Sequence, residues 1–107
     1  MMIYATEDTF DDLIQHPLVV VDFFAEWCGP CHMLVPTLNR LAKSMTDVRF
    51  IQVDTEIFAM LSESYDVKSL PTVCLFQNGI EVDRILGYVS DYELSSRINA
   101  LKEKNHV

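Results

Sequence analysis

The sequence predicts an α/β fold in which a central mixed β-sheet is flanked by helices on both faces. Apolar runs of strand length alternate with segments whose apolar residues recur at helical spacing. An Asn-Gly pair between the last two apolar runs indicates a hairpin, which makes part of the sheet antiparallel. The predicted order is βαβαβαββα, and right-handed crossovers place helices on both faces of the sheet. At 107 residues the chain is expected to form a single domain over residues 1–107.

The first half of the chain alternates regularly between strands and helices. Residues 3–5 predict a short first strand, and Thr6 is expected to cap the first helix. Residues 18–25 are almost continuously apolar, which is typical of a central strand covered on both faces. Apolar residues then recur at helical spacing over residues 31–45, and Pro36 is expected to kink that second helix.

The second half of the chain adds one more crossover, a hairpin and a final helix. Residues 48–53 alternate like a third strand, and residues 57–65 predict a short third helix. Residues 72–86 contain two further strands around Asn78-Gly79, a pair typical of a type I′ turn. The Ser-Asp-Tyr-Glu run at residues 90–93 has the spacing of a capping box, so it is expected to open the last helix.

Composition excludes several classes of partner. Sixteen Asp and Glu residues against eight Lys and Arg give a formal charge of −8. This acidic balance argues against binding to nucleic acid or to anionic membranes. The sequence contains no apolar stretch long enough to span a membrane and no visible signal peptide. We therefore expect a soluble, cytoplasmic protein.

The most informative motif is Trp-Cys-Gly-Pro-Cys at residues 27–31, directly behind the apolar central strand. Two thiols two residues apart, where a strand gives way to a helix, can close into a disulfide and reopen. Cys28 is placed at the helix N-terminus, where free N–H groups and the helix dipole favour a thiolate. The motif therefore indicates dithiol–disulfide chemistry, with Cys28 attacking a substrate disulfide and Cys31 resolving the mixed disulfide.

The main alternative function of this cysteine pair is to supply two of the four ligands of a zinc site. Structural zinc requires four ligands, and the remaining candidates lie scattered along the chain: Cys74, His16, His32 and His106. No metal site is therefore expected. Cys74 lies within a strand among apolar residues, so we interpret it as a small buried hydrophobic residue.

Asp22 is a carboxylate inside the apolar strand, six residues before Cys28. Burial would raise its pKa and allow it to exchange a proton with Cys31, directly or through water. The alternative is an exposed, inert aspartate at the rim of the strand. Its apolar neighbours Val21 and Phe23 favour the buried interpretation.

The motif at residues 27–31, with the strand before it, resembles the thioredoxin family, and the resemblance extends over nearly the whole chain. It implies a thioredoxin-like fold and assigns Asp22 as the buried proton acceptor for Cys31. Gly29 and Pro30 resemble the pair found in reducing members, whereas related oxidases and isomerases often carry a histidine before the second cysteine. Gly29 and Pro30 are therefore expected to tune the dithiol towards reduction.

The resemblance also implies a substrate-binding surface. Pro71 is expected to have a cis peptide bond, to face the dithiol and to free the preceding backbone at Leu70 for pairing with an extended substrate. Gly87 and Tyr88 correspond to a third substrate-facing loop, where glycine permits close backbone approach. Together Trp27, Leu70 and Tyr88 are expected to form an apolar collar around the first thiol.

Three positions depart from the family pattern. Phe24 stands where many bacterial relatives carry tryptophan, and Phe50 stands where a basic residue often neighbours the buried acid. Without that basic residue, the pKa of Asp22 is expected to be higher. Tyr88 is larger than the usual residue after the glycine and is expected to narrow the substrate range.

We therefore expect a protein-disulfide reductase that carries no bound cofactor. By resemblance, its electrons come from thioredoxin reductase, a partner flavoprotein that uses NADPH, and its substrates are disulfide-containing proteins. One rival is an oxidoreductase dedicated to a single substrate or another electron donor. A rival of a different class is a thioredoxin-fold binding or scaffold subunit in which the dithiol is dispensable.

Overall fold

The structure is a computed structural model that describes residues 2–104, so His106 lies outside the described residues. Within them the chain forms five strands and four helices. Their bounds are β1 (Met2–Tyr4), α1 (Phe10–Leu13), β2 (Val19–Phe24), α2 (Gly29–Ser44), β3 (Arg49–Asp54), α3 (Ala59–Ser64), β4 (Thr72–Gln77), β5 (Ile80–Leu86) and α4 (Asp91–Lys104). This is the predicted order.

The strands form one mixed sheet in the order β1-β3-β2-β4-β5. Strands β1 and β2 both run parallel to β3, whereas β4 runs antiparallel to β2 and β5 antiparallel to β4. The mixed α/β sheet expected from the sequence is therefore confirmed. The central strand β2 is buried along nearly its whole length, which explains its almost continuous apolar sequence.

Side chains of β2 alternate between two apolar cores, one on each face of the sheet. Val20 packs in the core formed with α2 and α4, and Val19, Val21 and Phe23 pack in the core on the opposite face with α1. Because side chains two residues apart share a face, Asp22 lies on the same face as Val20. The carboxylate therefore belongs to the side of the sheet that α2 covers.

The first helix is shorter than the sequence predicts. The backbone of Thr6 instead opens a turn, and the two threonines of that turn, Thr6 and Thr9, exchange side-chain-to-backbone hydrogen bonds of 2.9 and 3.3 Å. The α-helix begins only at Phe10. The third helix spans only Ala59–Ser64, so Ile57 precedes it, and Ile57 and Met60 are 68% and 76% exposed rather than packed in a core.

The expected turn and cap are present. Asn78 and Gly79 have φ angles of 50° and 87°, and a type I′ turn requires both residues in this left-handed region. At the last helix, Ser90 Oγ accepts a hydrogen bond of 3.1 Å from the Glu93 N–H. The Glu93 carboxylate pairs with Arg97 at 3.4 Å, so half of the predicted capping box is seen.

Candidate active site

The two cysteines of the motif lie at the junction between β2 and α2. Cys28 is the N-cap residue of α2, and its extended backbone (ψ 110°) turns the chain into the helix. The sulfur atoms of Cys28 and Cys31 are within bonding distance, and their Cα atoms are 5.3 Å apart. The Cys31 N–H also donates to Cys28 Sγ at 3.2 Å. A free N–H of the first helical turn is thus directed at the sulfur that has to carry negative charge when the pair is reduced.

Pro30 occupies the first turn of α2, where a missing N–H costs the helix nothing. Gly29 is exposed, and a Cβ added there would meet no atom within 4 Å. Neither side chain places a charge or a hydrogen-bond donor beside the thiols. The pair therefore leaves the helix N-terminus as the main stabiliser of a thiolate.

A groove with a volume of about 490 Å³ runs past the dithiol. It is lined by Trp27, Cys28, Gly29, Pro30, Thr55, Glu56, Val67, Lys68 and Leu70. Cys28 lines this groove and Cys31 does not. Both cysteines are nearly buried, at 4% and 2% exposed, so an incoming disulfide can meet only the edge of Cys28.

Four groove residues escaped the sequence analysis: Thr55, Glu56, Val67 and Lys68. Glu56 accepts a hydrogen bond of 3.1 Å from the indole Nε1–H of Trp27, which fixes the exposed ring beside Cys28. The sequence did contain a signal for the position of Thr55 and Glu56. Since β2 and β3 are parallel, the loops that follow them meet at the same edge of the sheet, so the residues after β3 had to lie near the dithiol.

The Leu70-Pro71 peptide bond is cis, as the resemblance implied. Leu70 lines the groove and is half-buried. Gly87 has a φ of 85° and donates its N–H to the carbonyl of Pro71 at 2.8 Å, so its loop lies against the cis-proline. Tyr88 is 49% exposed but is not among the residues that line the groove. Its place in a collar around Cys28 stays a prediction.

Asp22 is completely buried, which excludes the exposed, inert alternative. Its Oδ2 accepts a hydrogen bond of 2.9 Å from Nε2 of Gln52, while Oδ1 has no hydrogen-bond partner among residues 2–104. Burial raises the pKa of Asp22 to about 6, and the hydrogen bond from Gln52 acts in the opposite direction. The carboxyl group can therefore change its protonation state near neutral pH.

The polar neighbour of Asp22 is Gln52. The family resemblance had instead placed the neighbour of the buried acid at Phe50. Gln52 is directly opposite Asp22 in the parallel β2–β3 register, whereas Phe50 is opposite Val20. Phe50 shares the same face but contributes only apolar surface to the core. The clue that was missed is the amide of Gln52 within the otherwise apolar run of β3.

A second, smaller cavity of about 180 Å³ reaches the other cysteine. It is lined by Tyr4, Phe24, Glu26, Cys31, His32, Val35 and Gln52. His32 and Glu26 are exposed, and His32 Nε2 lies 2.6 Å from the Glu26 carbonyl oxygen. Tyr4 is exposed as well, so the cavity connects Cys31 and Gln52 with three surface residues.

Cys74 lies apart from this chemistry. It is completely buried in the core that α1 covers, and burial raises the pKa of its thiol to about 12. Over residues 2–104, no group of three or more His, Cys, Asp or Glu side chains is gathered as a metal site would require. None of the helices in the same range combines the length and the apolar character needed to cross a bilayer.

Comparison with known proteins places this arrangement in one family. The thioredoxin family model matches residues 1–100. The chain is 44% identical to a thioredoxin of Chlamydia trachomatis serovar D, over 81% of this chain and 85% of that protein. It is 40% identical to "Thioredoxin Y2, chloroplastic" of Arabidopsis thaliana, over 92% of this chain and 62% of that protein. A solved mutant thioredoxin from Halobacterium salinarum NRC-1 has a TM-score of 0.88 at 31% identity, covering 94% of this chain and 89% of that one. With its paired cysteines at disulfide distance, the chain thus belongs to the thioredoxin family of thiol–disulfide oxidoreductases, which reduce protein disulfides.

Proposed function

We propose that Cys28 is the attacking thiolate and Cys31 the resolving thiol in the reduction of disulfides in other proteins. The single observation that carries this assignment is that Cys28 lines the groove of about 490 Å³, whereas Cys31 lines only the smaller cavity of about 180 Å³. Cys28 also receives the helix N–H of Cys31, which stabilises the charged form of the sulfur that attacks first.

The cycle balances in two steps. The Cys28 thiolate attacks one sulfur of the substrate disulfide, so a Cys28–substrate bond forms, the substrate bond breaks and the other substrate sulfur leaves as a thiolate. Cys31 then gives up its proton and attacks Cys28, which forms the Cys28–Cys31 disulfide and releases the second substrate thiolate. Two electrons have passed to the substrate, whose thiolates take up protons from water or from the enzyme.

Asp22 is proposed to accept the proton that Cys31 loses in the second step. Three observations support this role: the burial of Asp22, the lack of a hydrogen-bond partner for Oδ1 within the described residues, and a pKa of about 6. A general base works best when its pKa lies near the working pH. Burial by α2 and the sheet therefore adapts an ordinary carboxyl group to proton transfer at neutral pH.

The substrate segment is proposed to bind in an extended conformation along the groove. Trp27 and Leu70 supply apolar walls, and the backbone before Pro71 offers hydrogen-bonding groups to such a segment. Gly87 and Tyr88 would contact the substrate beyond Pro71. Reduction back to the dithiol is assigned to thioredoxin reductase, with NADPH and flavin held by that partner, and the cell compartment is proposed to be the cytoplasm.

Two variants test the order of attack. The chain is reduced chemically and mixed with a protein that carries an exposed disulfide, and the thiols released are counted. Cys28→Ser should release none, because no attacking thiolate is left. Cys31→Ser should release one substrate thiol per chain and stop as a covalent mixed disulfide, visible by intact mass. If Cys28→Ser formed that adduct instead, the roles would be reversed.

The reduction potential separates this proposal from an oxidase. A Cys28–Cys31 pair that equilibrates near about −270 mV, the value typical of thioredoxin, behaves as a reductant, whereas a value above about −200 mV would contradict the proposal. A scaffold protein would retain its cellular function in both serine variants. Loss of function in both would exclude a dispensable dithiol.

A further inference from the structure

We propose that Gln52 is a positioning residue for the resolving step, which holds Oδ2 of Asp22 through its side-chain amide and so leaves Oδ1 as the oxygen that takes the proton from Cys31. This inference rests on the proposed role of Asp22. It gives the side-chain amide of Gln52 the task of orienting Asp22, which neither of the two thiols performs.

The sheet brings the two side chains together. Asp22 and Gln52 are opposite each other in the parallel β2–β3 register, and their side chains meet through the hydrogen bond of 2.9 Å from Nε2 to Oδ2. Gln52 is only 4% exposed, so water does not compete freely for its amide. The β2–β3 ladder fixes the two backbone positions opposite each other, and burial restricts the side chains that make the hydrogen bond.

Among the described residues, no other side chain competes with Gln52 for a hydrogen bond to Asp22. From β4, the residue opposite Asp22 is Val73, which is apolar and buried. From α2, the reactive group at this end is Cys31, which lines the same cavity as Gln52. Besides Cys31 itself, the ionisable side chains that line the cavity are Tyr4, Glu26 and His32, all exposed. Among residues 2–104, Gln52 alone donates a hydrogen bond to the Asp22 side chain.

An amide suits this position because it carries no charge. The NH₂ group of glutamine can donate to Oδ2 whether Asp22 is ionised or protonated, so the carboxyl group keeps its orientation through the proton transfer. The hydrogen bond is stronger to the ionised form, which opposes the effect of burial. The unpartnered Oδ1 is then the oxygen that is free to bind the proton.

The cavity gives the proton an exit. Its lining shares no residue with the substrate groove, so a substrate bound over Cys28 does not close it. A water molecule in a cavity of about 180 Å³ has ample room. Protons can therefore leave the buried pair on one side while the thiols exchange on the other.

The test measures only the second step of the cycle, in which Cys31 attacks the mixed disulfide. The mixed disulfide with a disulfide-bearing peptide is formed in a rapid-mixing experiment, and release of the second thiol is recorded from about pH 4.5 to about pH 8.5. Gln52→Met removes the donor but keeps the length and volume of the side chain. We expect the inflection near pH 6 to move upward by about one unit, which makes release about tenfold slower at pH 5 and nearly unchanged at pH 8.

Two controls isolate the effect. Ile51→Val alters the neighbouring residue on the opposite face of β3 and should leave the pH profile in place. In an Asp22→Asn background, Gln52→Met should not move the profile, because there is no carboxyl group left to position. A shift of equal size in that background would overturn the inference.

The outcomes also distinguish this inference from the function on which it rests. If Asp22→Asn itself keeps the wild-type profile, the role of Asp22 is wrong. If Asp22→Asn removes the inflection but Gln52→Met leaves it unmoved, only the role of Gln52 is wrong. Should Gln52→Met fail to fold, Gln52→Asn keeps an amide that is one methylene too short, and an NMR titration of the Asp22 carboxyl carbon should show a raised pKa. An unshifted titration would contradict the inference.

Discussion

Burying Asp22 lowers the stability of the folded state, a cost that its proposed role in proton transfer would explain. A carboxyl group with a pKa of about 6 in the folded chain, against 3.8 for its ordinary value, is harder to ionise in the core than in the unfolded chain. The folded state therefore loses stability as the pH rises from about 4 to about 6, and the loss is complete above that range. The difference corresponds to about 3 kcal/mol.

Replacing Asp22 by asparagine should consequently stabilise the oxidised protein at neutral pH. The gain in the free energy of unfolding, relative to wild type, is expected to grow by about 2.5 kcal/mol between pH 4 and pH 8, because about 0.5 kcal/mol of the full difference is already present at pH 4. Urea unfolding at several pH values measures it. Asp8→Asn, at a carboxylate that is exposed to water, serves as the matched control. A gain that is the same at both pH values would contradict the assigned cause.

Residues of the site differed in how far the sequence could predict them. Asp22 was recognisable because a single acid interrupts a continuous apolar strand. Gln52 was missed because the resemblance directed attention to Phe50, although the register pairs Asp22 with Gln52. Glu56 was missed because its hydrogen bond to Trp27 joins residues that are far apart in the chain. Such partners become visible only when strand register is known.

At the level of elements, two glycines have positive φ angles for different reasons. Gly79 (φ 87°) closes the β4–β5 hairpin, and Gly87 (φ 85°) lies against Pro71 at the catalytic end of the sheet. The atoms nearest to a Cβ at Gly79 would be those of the flexible amide end of Gln15, and a Cβ at Gly87 would meet nothing within 4 Å. Backbone strain therefore dominates at both positions.

Gly79→Ala and Gly87→Ala should thus each lower the free energy of unfolding by about 1–2 kcal/mol. Their effects on activity should differ, because only Gly87 belongs to the loop beside the cis-proline. We expect Gly79→Ala to retain the wild-type rate of disulfide reduction and Gly87→Ala to lose part of it. Chemical denaturation and a thiol-release assay on the same samples compare the two. Equal activity losses would remove Gly87 from the proposed substrate surface.

The helices were harder to predict than the strands. The periodicity placed α2 and α4 well because both bury a long apolar stripe. The turn at Thr6 carries the capping hydrogen bonds expected of a helix start, yet the α-helix begins at Phe10. Short segments such as α1 and α3 have too few periodic residues to fix their bounds.

The whole molecule combines two opposing pH dependences. Partner Arg and Lys side chains lower the pKa values of four carboxyl groups: Asp47, Glu81, Asp83 and Asp91. Their stabilising contribution is present above the ordinary carboxyl pKa and is lost as the pH falls below about 4. Asp22 acts in the opposite sense, since its contribution falls as the pH rises towards 6.

The free energy of unfolding should therefore pass through a maximum at about pH 4 to 5 rather than at neutral pH. Reduced repulsion near the isoelectric point of about 4.6 acts in the same direction. Asp22→Asn separates the two causes, because it removes the decline due to the buried acid and leaves the repulsion. Calorimetry across pH 3 to 8 would show this. A wild-type stability that rises steadily to pH 7 would be inconsistent with it.

The fold as a whole could be predicted because its signals agree at several levels. The apolar β2 run, the Asn78-Gly79 turn and the crossover order each favour the same mixed sheet. The cis bond before Pro71 followed from family resemblance, since most X–Pro bonds are trans and no local pattern indicates otherwise. The shape of the groove depends on loops from separate strands and could not be read from any one segment.

The nearly buried position of Cys28 has a consequence for which proteins this enzyme can serve. A sulfur that is accessible only along one edge, beside an indole ring that is 70% exposed, cannot enter a crevice of another folded protein. The partner has to bring its own disulfide out on a loose stretch of chain. Bonds held in rigid interiors become available only when that region opens locally. We expect the rate at which a target is reduced to depend on how often the region around its disulfide unfolds locally. Proteins in which that region unfolds rarely should keep their disulfides while others are reduced.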